Sequence, residues 1–273
     1  MINRARFALA LGALANLSSP ATAEPMLVSQ EPWVLDYADT QCSAVRKYPQ
    51  PDGAVTLAIR PAPAGDTYEL LLGRNRAGPV YADELKGSVD FGAREISAWV
   101  LHYGSGREKV DAFAYRISGS EMAQARSAKS VTFRSKGGPD VSLELENMGE
   151  LLSGLQKCTE DLKAYWNFDG KRVGTVASGP KGDIRRLFTS EDYPDEALYR
   201  NQEGSAQFML LVDEKGRVAR CHVVKPSGIP ILDAMGCQVL RERTKMKPAR
   251  DLQGHPVRSA VITPQVNWGL SNN

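Results

Sequence analysis

The sequence predicts an α+β protein with two domains: a strand-rich α+β domain, then a smaller domain in which helices and strands alternate. Short β-branched and aromatic runs, separated by turn residues, fill the region 30–166. A glycine-rich stretch at 169–182 interrupts that pattern. Residues 183–273 then show a helix, a hairpin, a second helix and a final strand. We therefore place the first domain at 30–166, a linker at 167–182 and the second domain at 183–273.

Composition narrows the class of protein. The chain of 273 residues is 42% hydrophobic and 24% charged, which is typical of a globular protein and excludes a disordered or collagen-like chain. Its 34 basic residues nearly balance its 32 acidic ones, whereas a nucleic-acid-binding domain carries a strong excess of positive charge. We therefore expect no nucleic-acid partner.

Residues 1–23 have the pattern of a secretory signal peptide. Arg4 and Arg6 precede the apolar run 7–17, and the small residues 21–23 form a cleavage site. The apolar run spans only about 16 Å of helix, roughly half of a bilayer core. We therefore expect an exported protein, with a retained membrane anchor as the alternative. No later stretch reaches the ~20 apolar residues that a membrane-crossing helix needs.

Short runs in the first domain have strand character. Their β-branched and aromatic residues are bounded by turn-forming segments, among them 61–66 and 137–140. Apolar residues at helical spacing between Leu151 and Leu162 predict a helix that closes the domain. The predicted strands are 55–60, 68–72, 96–103, 110–117, 131–134 and 141–146.

Four cysteines, Cys42, Cys158, Cys221 and Cys237, are expected to form two disulfides in an oxidising compartment. Three pairings are possible, and the domain layout favours Cys42–Cys158 and Cys221–Cys237. A zinc site is the alternative, but the sequence has no C-x-x-C motif and its three histidines show no paired ligand spacing. The sequence indicates neither a metal nor another cofactor.

The second domain begins with a short helix and a hairpin. Pro194 suits the first turn of a helix. Alternation over 205–212 and 217–224 predicts a β-hairpin with one apolar face, and Gly216 fits the turn that joins its strands. His222 falls on the polar face of the second strand.

A second helix and a last strand complete this domain. Apolar residues at helical spacing predict the helix over 231–246. The helix must cover the apolar face of the hairpin, because neither element can bury that surface alone. Cys221 of the hairpin and Cys237 of the helix would then face each other. The last strand is predicted over 257–268, and Pro264 within it is typical of an edge strand.

Several short motifs occur in a characteristic order along the second domain. They are Tyr193-Pro194 with Ala197, Gly204, Val212-Asp213 with Gly216-Arg217-Val218, Ser227-Gly228 with Leu232-Asp233, and Lys247-Pro248-Ala249 with Gly254 and Pro256-Val257. As an ordered set they resemble the TonB C-terminal domain family over about 185–268. The expected Cys221–Cys237 pair is similar to a disulfide of some TonB-like domains, which links the second strand to the second helix.

The resemblance implies two helices packed on a three-stranded antiparallel sheet. It also implies a periplasmic protein of a Gram-negative envelope, without catalytic residues. Such a protein docks an extended segment, the TonB box, of an outer-membrane transporter by strand addition and contacts the membrane only through partners. We expect the last strand to be the docking edge. The predicted partner-binding residues are Val257, Ser259, Val261, Thr263, Gln265 and Asn267.

The sequence leaves other binding functions open. An energy transducer resembling TonB keeps a membrane helix and a proline-rich spacer, whereas here a cleavable segment and a folded domain take their places. Strand exchange between two copies would give a homodimer. A cell-wall-binding module is suggested by a basic cluster in the second domain: Arg217, Arg220, Lys225, Arg241, Arg243, Lys245, Lys247 and Arg250.

The absence of known catalytic motifs disfavours enzymatic activity. The residues that could carry it are Ser227, His222, His255 and Asp233, but no G-x-S-x-G, H-E-x-x-H or phosphate-binding glycine motif occurs. Ser227 precedes a helix, which is typical of a cap or a turn. His222, on the polar face of a strand, is typical of a solvated histidine. We therefore expect a binding protein that is not an enzyme.

Overall fold

The computed structural model describes residues 25–51, 53–75, 82–105, 109–168 and 176–270. The predicted signal peptide, 1–23, lies outside these residues, as does 169–175 of the predicted linker. Within the described ranges, no helix combines the length and apolar character needed to cross a membrane.

The first part of the chain forms one antiparallel sheet of nine strands. These are Val34–Ala38 (β1), Gln41–Gln50 (β2), Gly53–Pro61 (β3), Thr67–Asn75 (β4), Asp83–Asp90 (β5), Glu95–Ser105 (β6), Val110–Ser118 (β7), Ser130–Ser135 (β8) and Asp140–Glu144 (β9). Their order is β1-β2-β3-β4-β7-β6-β5-β8-β9. All six predicted strands are present. The prediction missed β1, β2 and β5, because the charged residues within them weaken the strand signal.

The nine-stranded sheet curls until its two ends approach each other. Leu27 exchanges main-chain hydrogen bonds with β9, and the Ser29 hydroxyl donates to the carbonyl oxygen of Lys47 in β2. The guanidinium of Arg46, also in β2, donates to the Ser29 carbonyl and to Glu146 just after β9. The Arg46 side chain is only 2% exposed, so these bonds partly compensate a buried charge, while its Nη1 atom has no partner among the described residues.

An 18-residue helix packs against one end of this sheet. It runs over Met148–Tyr165 (α2), after a short helix at Gly119–Met122 (α1). Its buried residues include Leu151, Leu155 and Leu162, which confirms the predicted helical face. The Cys42–Cys158 disulfide joins β2 to α2, as predicted.

The second part is a smaller sheet with two helices, which confirms the α+β class. Its central strand, Gly204–Val212 (β10), pairs with Val218–Lys225 (β11) on one side and with Ser259–Ile262 (β14) and Val266–Trp268 (β15) on the other. The predicted Cys221–Cys237 disulfide ties β11 to the helix Pro230–Arg243 (α4). The elements are Asp195–Tyr199 (α3), Gly204–Val212 (β10), Val218–Lys225 (β11), Pro230–Arg243 (α4), Ala249–Arg250 (β12), Pro256–Val257 (β13), Ser259–Ile262 (β14) and Val266–Trp268 (β15).

The prediction of one continuous last strand over 257–268 is wrong. Val257 lies in β13, which pairs with β12 in a separate two-stranded ribbon. The strands β14 and β15 both pair with β10, and the chain leaves the ladder around Pro264 between them. Proline has no N–H to donate, so a break at this position is expected on an outer strand.

The prediction of a hairpin with only one apolar face is also wrong. Phe208 and Leu210 of β10 face the core beneath α4, but Met209 and Leu211 point the other way and join the core of the nine-stranded sheet. His222 is only 6% exposed, so it is not a solvated histidine. The central strand therefore contributes to two cores at once.

The end of the predicted linker is hydrogen-bonded to the second part of the chain. Ser178 bridges to Arg250 and Lys181 bridges to Lys247, both in antiparallel fashion. Residues 176–182 thus follow the segment around β12.

Candidate partner-binding edge

The outer side of β14 and β15 is the candidate site. Both strands pair with β10, and within the described ranges no other strand pairs with their outer side. Such an edge presents main-chain N–H and C=O groups to a further strand.

The direction of the main-chain groups along β14 decides which residues are available for pairing. The Thr263 N–H donates to the Phe208 carbonyl of β10 at 2.8 Å, whereas the Ala260 N–H points outward and donates to the Trp166 carbonyl at 2.9 Å. Because the groups alternate along a strand, those of Ile262 also point outward. The Ile262 residue is 42% exposed. The first half of the edge is thus partly covered by the chain itself, and the accessible half begins at Ile262.

A groove continues the edge along β15. Its volume is about 380 Å³, and it lies between β15 and the segment 184–193. Trp268 at its base is buried and meets the rings of Phe188 and Tyr193 edge-on, each with its centroid 5.5 Å away. These aromatic contacts pack the segment 184–193 against β15.

The six predicted partner-binding residues are distributed over three elements and one break. Val257 belongs to the β12–β13 ribbon, outside the β10 sheet. Ser259 and Thr263 are buried, and Val261 packs against the core beneath α4. Gln265 and Asn267 are exposed beside the groove. Sequence reasoning missed Ile262 because it placed the pairing groups on the odd-numbered residues of the strand, whereas the Thr263 N–H points inward to β10.

The four residues considered for catalysis have structural partners. Asp233 is fully buried; it accepts from Arg116 at 2.5 Å and from the Ser227 N–H at 2.9 Å. The Ser227 hydroxyl donates to the Ile229 carbonyl.

The two histidines also have partners. His255 is exposed and lies 3.3 Å from Asp251, and His222 contacts the Thr40 carbonyl. These contacts stabilise turns and the junction between the two sheets.

The basic residues of the second part do not form one free cluster. Arg217 pairs with Asp213 at 2.8 Å, and Arg243 pairs with Asp192 at 2.6 Å. Arg250 donates to the carbonyl of Gly254. Three of the eight residues of the predicted basic cluster are thus engaged by groups of the chain itself.

Acidification is expected to destabilise the protein through His222. Burial, then the nearby charge of Arg220, lowers the pKa of His222 from 6.5 to about 4. Between pH 6.5 and 4 the unfolded chain binds a proton that the folded chain does not, so the free energy of unfolding falls as the pH falls, by on the order of 2 to 3 kcal/mol. Urea unfolding at pH 7 and pH 4.5 measures this loss.

The comparison variant for this prediction is His222→Gln, which keeps an N–H donor toward Thr40 but does not titrate. Its stability should depend less on pH across this window than that of the wild type, whereas the exposed His255→Gln control should behave like the wild type. An unchanged pH dependence in His222→Gln would contradict the assignment.

The second part of the chain is therefore a small antiparallel sheet with two helices, and its outer strand ends beside an aromatic groove. Residues 189–270 match the family model of the Gram-negative bacterial TonB protein C-terminal. This segment therefore belongs to the TonB C-terminal domain family, as the motifs over about 185–268 indicated. Domains of this family serve binding and energy transduction in the bacterial envelope, and are not catalytic.

Comparisons of the chain with curated proteins and with solved structures found no match.

Proposed function

We propose that the protein is a periplasmic TonB-like binding protein that docks an extended segment of an outer-membrane or envelope partner by β-strand addition. In this proposal 183–273 is the binding domain and 30–166 is a companion domain that supports it. The observation that carries the proposal is the outward-facing main chain at Ile262, on an outer strand of a TonB C-terminal domain. Main-chain pairing at such an edge supplies affinity without requiring catalytic side chains.

The position of Trp166 sets where a docked segment would begin. Its carbonyl already accepts the outward N–H of Ala260, and Asn167 donates to the Arg258 carbonyl at 2.8 Å. A partner strand would therefore pair from Ile262 onward, pass Pro264 and lay its side chains in the groove beside β15. A short extended peptide fits this length of edge better than a long strand.

The test is a titration of the full mature chain with a TonB-box peptide, followed by amide chemical shifts in NMR spectra. We expect shifts at Ile262 and along 265–269. Ile262→Pro removes the outward N–H and leaves the bonds of its neighbours to β10, so it should weaken binding about five- to tenfold, the worth of one main-chain hydrogen bond.

Ile262→Ala is the matched control, because it trims the side chain and keeps the N–H; it should bind nearly as well as the wild type. The strand-addition proposal fails if saturating peptide moves no amide of β14 or β15, or if Ile262→Pro binds as tightly as Ile262→Ala. If self-association of the chain causes the same shifts without peptide, the edge serves a homodimer.

Mass spectrometry of the protein recovered from cell fractions distinguishes an exported, cleaved protein from a membrane-anchored one, because it identifies the N-terminus in each fraction. A periplasmic species beginning at Glu24 supports the proposal. A membrane-bound species that retains 1–23 would favour the energy transducer that couples an inner-membrane proton motor to outer-membrane transporters.

A further inference from the structure

A second cavity lies away from the candidate edge, where the nine-stranded sheet meets β11 and α4. Its volume is about 460 Å³, within the range of pockets that hold small molecules. Strands β3, β4, β6 and β7 form one wall, and β11 with α4 forms the other. Residues of both sheets are therefore needed to form this cavity.

The charges that line this cavity do not balance. Its lining contains two acidic residues, Glu69 and Asp233, and four arginines: Arg60, Arg116, Arg220 and Arg241. Both acids are already paired, Glu69 with Arg60 at 3.3 Å and Asp233 with Arg116 at 2.5 Å. Arg220 and Arg241 have no acidic group within 4 Å among the residues that the structure describes. The cavity therefore carries an excess of two positive charges.

The two unpaired guanidinium groups and Arg60 lie close to one another. Burial lowers the pKa of Arg220, the positive charges of Arg60 and Arg241 lower it further, and the carboxylate of Glu69 partly offsets them. The nearest polar contact of Arg220 is a long one of 3.5 Å to the amide oxygen of Gln41. The Nε atom of Arg60 is buried and has no hydrogen-bond partner. Positive charge therefore exceeds negative charge in this cavity, and the buried Nε of Arg60 is a donor that the described residues leave without an acceptor. The oxyanion of a ligand would supply that acceptor.

The remaining lining is largely apolar. Leu101, Ile231 and Met235 contribute aliphatic surface, and Tyr103 lies near the arginines. A bare ion would leave this surface unused. A ligand with an anionic head and an apolar body would match both halves of the cavity.

We propose that this cavity binds a small organic anion whose carboxylate or phosphate group lies between Arg60, Arg220 and Arg241. Guanidinium groups bind both oxyanions through paired charge-assisted hydrogen bonds. The site belongs to the junction of the two sheets and is independent of strand addition at β14 and β15. It gives the nine-stranded part a ligand-binding role.

The test is isothermal titration calorimetry on the full mature protein with three probes. Phenyl phosphate and 3-phenylpropionate share the anionic head on an apolar body, and they distinguish a phosphate from a carboxylate ligand. Benzyl alcohol is the uncharged comparison. We expect one or both anions to bind and benzyl alcohol to bind at least tenfold more weakly, because it lacks the charge-assisted hydrogen bonds.

Two variants and a control locate the binding. Arg220→Gln and Arg241→Gln should each weaken the anion about tenfold, and thermal unfolding shows whether each variant remains folded. The control is Arg94→Gln, since Arg94 is exposed in the turn between β5 and β6 and its loss changes the net charge by the same amount. This control should bind like the wild type.

The proposal is overturned if neither anion binds at concentrations up to about 10 mM, or if benzyl alcohol binds as well as the anions. It is also overturned if both folded arginine variants bind as tightly as Arg94→Gln. Peptide binding at Ile262 is measured separately, so failure here leaves the proposed function standing, and the reverse also holds.

Discussion

Replacing Cys42 and Cys158 together by alanine is expected to lower the free energy of unfolding by about 5 kcal/mol. The two residues are 116 positions apart, so the bond closes a long loop and removes much of the conformational freedom of the unfolded chain. Both cysteines are buried, at 1% and 4% exposure, between β2 and α2. A loss of this size is comparable to the whole stability of many domains.

Urea unfolding of the wild type and the double variant measures this loss. The matched control is Cys221→Ala with Cys237→Ala, where the separation is only 16 residues and the same chain-entropy model gives about 3 kcal/mol. The order of the two losses is the critical result. If the short-loop variant loses more stability than the long-loop variant, loop entropy does not govern these bonds.

Replacing Asp233 by alanine is expected to cost about 3 to 4 kcal/mol of stability. The carboxylate is fully buried and accepts hydrogen bonds from Arg116 in β7 and from the Ser227 N–H before α4. Its loss leaves a partly buried N–H and a partly buried guanidinium without their acceptor. Burial raises the pKa of Asp233, and the positive charge of Arg116 opposes that rise.

A double-mutant cycle with Arg116→Met separates the ion pair from the rest of this loss. If the Arg116–Asp233 pair dominates, the double variant should lose clearly less stability than the sum of the two single losses. Additive losses would mean that the Ser227 contact and packing carry the effect instead. Asp233→Asn, which can still accept from Ser227, should be the milder of the two aspartate variants.

Local patterns predicted most helices and strands of this protein. Turn residues and alternation located six of the first nine strands, and helical spacing located α2 and α4. The strand β2 escaped because Arg46 and Lys47 interrupt its apolar pattern. Arg46 is buried nonetheless, since Ser29 and Glu146 supply acceptors from far along the chain, and such partners are not visible in a local window.

The burial of both faces of β10 could have been predicted from its sequence. The segment 205–212 is apolar at Met209 and Leu211 as well as at Phe208 and Leu210, and a nearly continuous apolar run indicates burial on both faces. The position of Trp166 against Ala260 could not be predicted, because that contact depends on how the two sheets are placed together. The half-covered edge is therefore information that only the fold supplies.

Strand β10 lies between two cores, and this arrangement has a mechanical consequence. If a peptide paired at Ile262 were pulled, the force would pass to β10 and, through Met209 and Leu211, to the core of the nine-stranded sheet. The two sheets would then resist the force together.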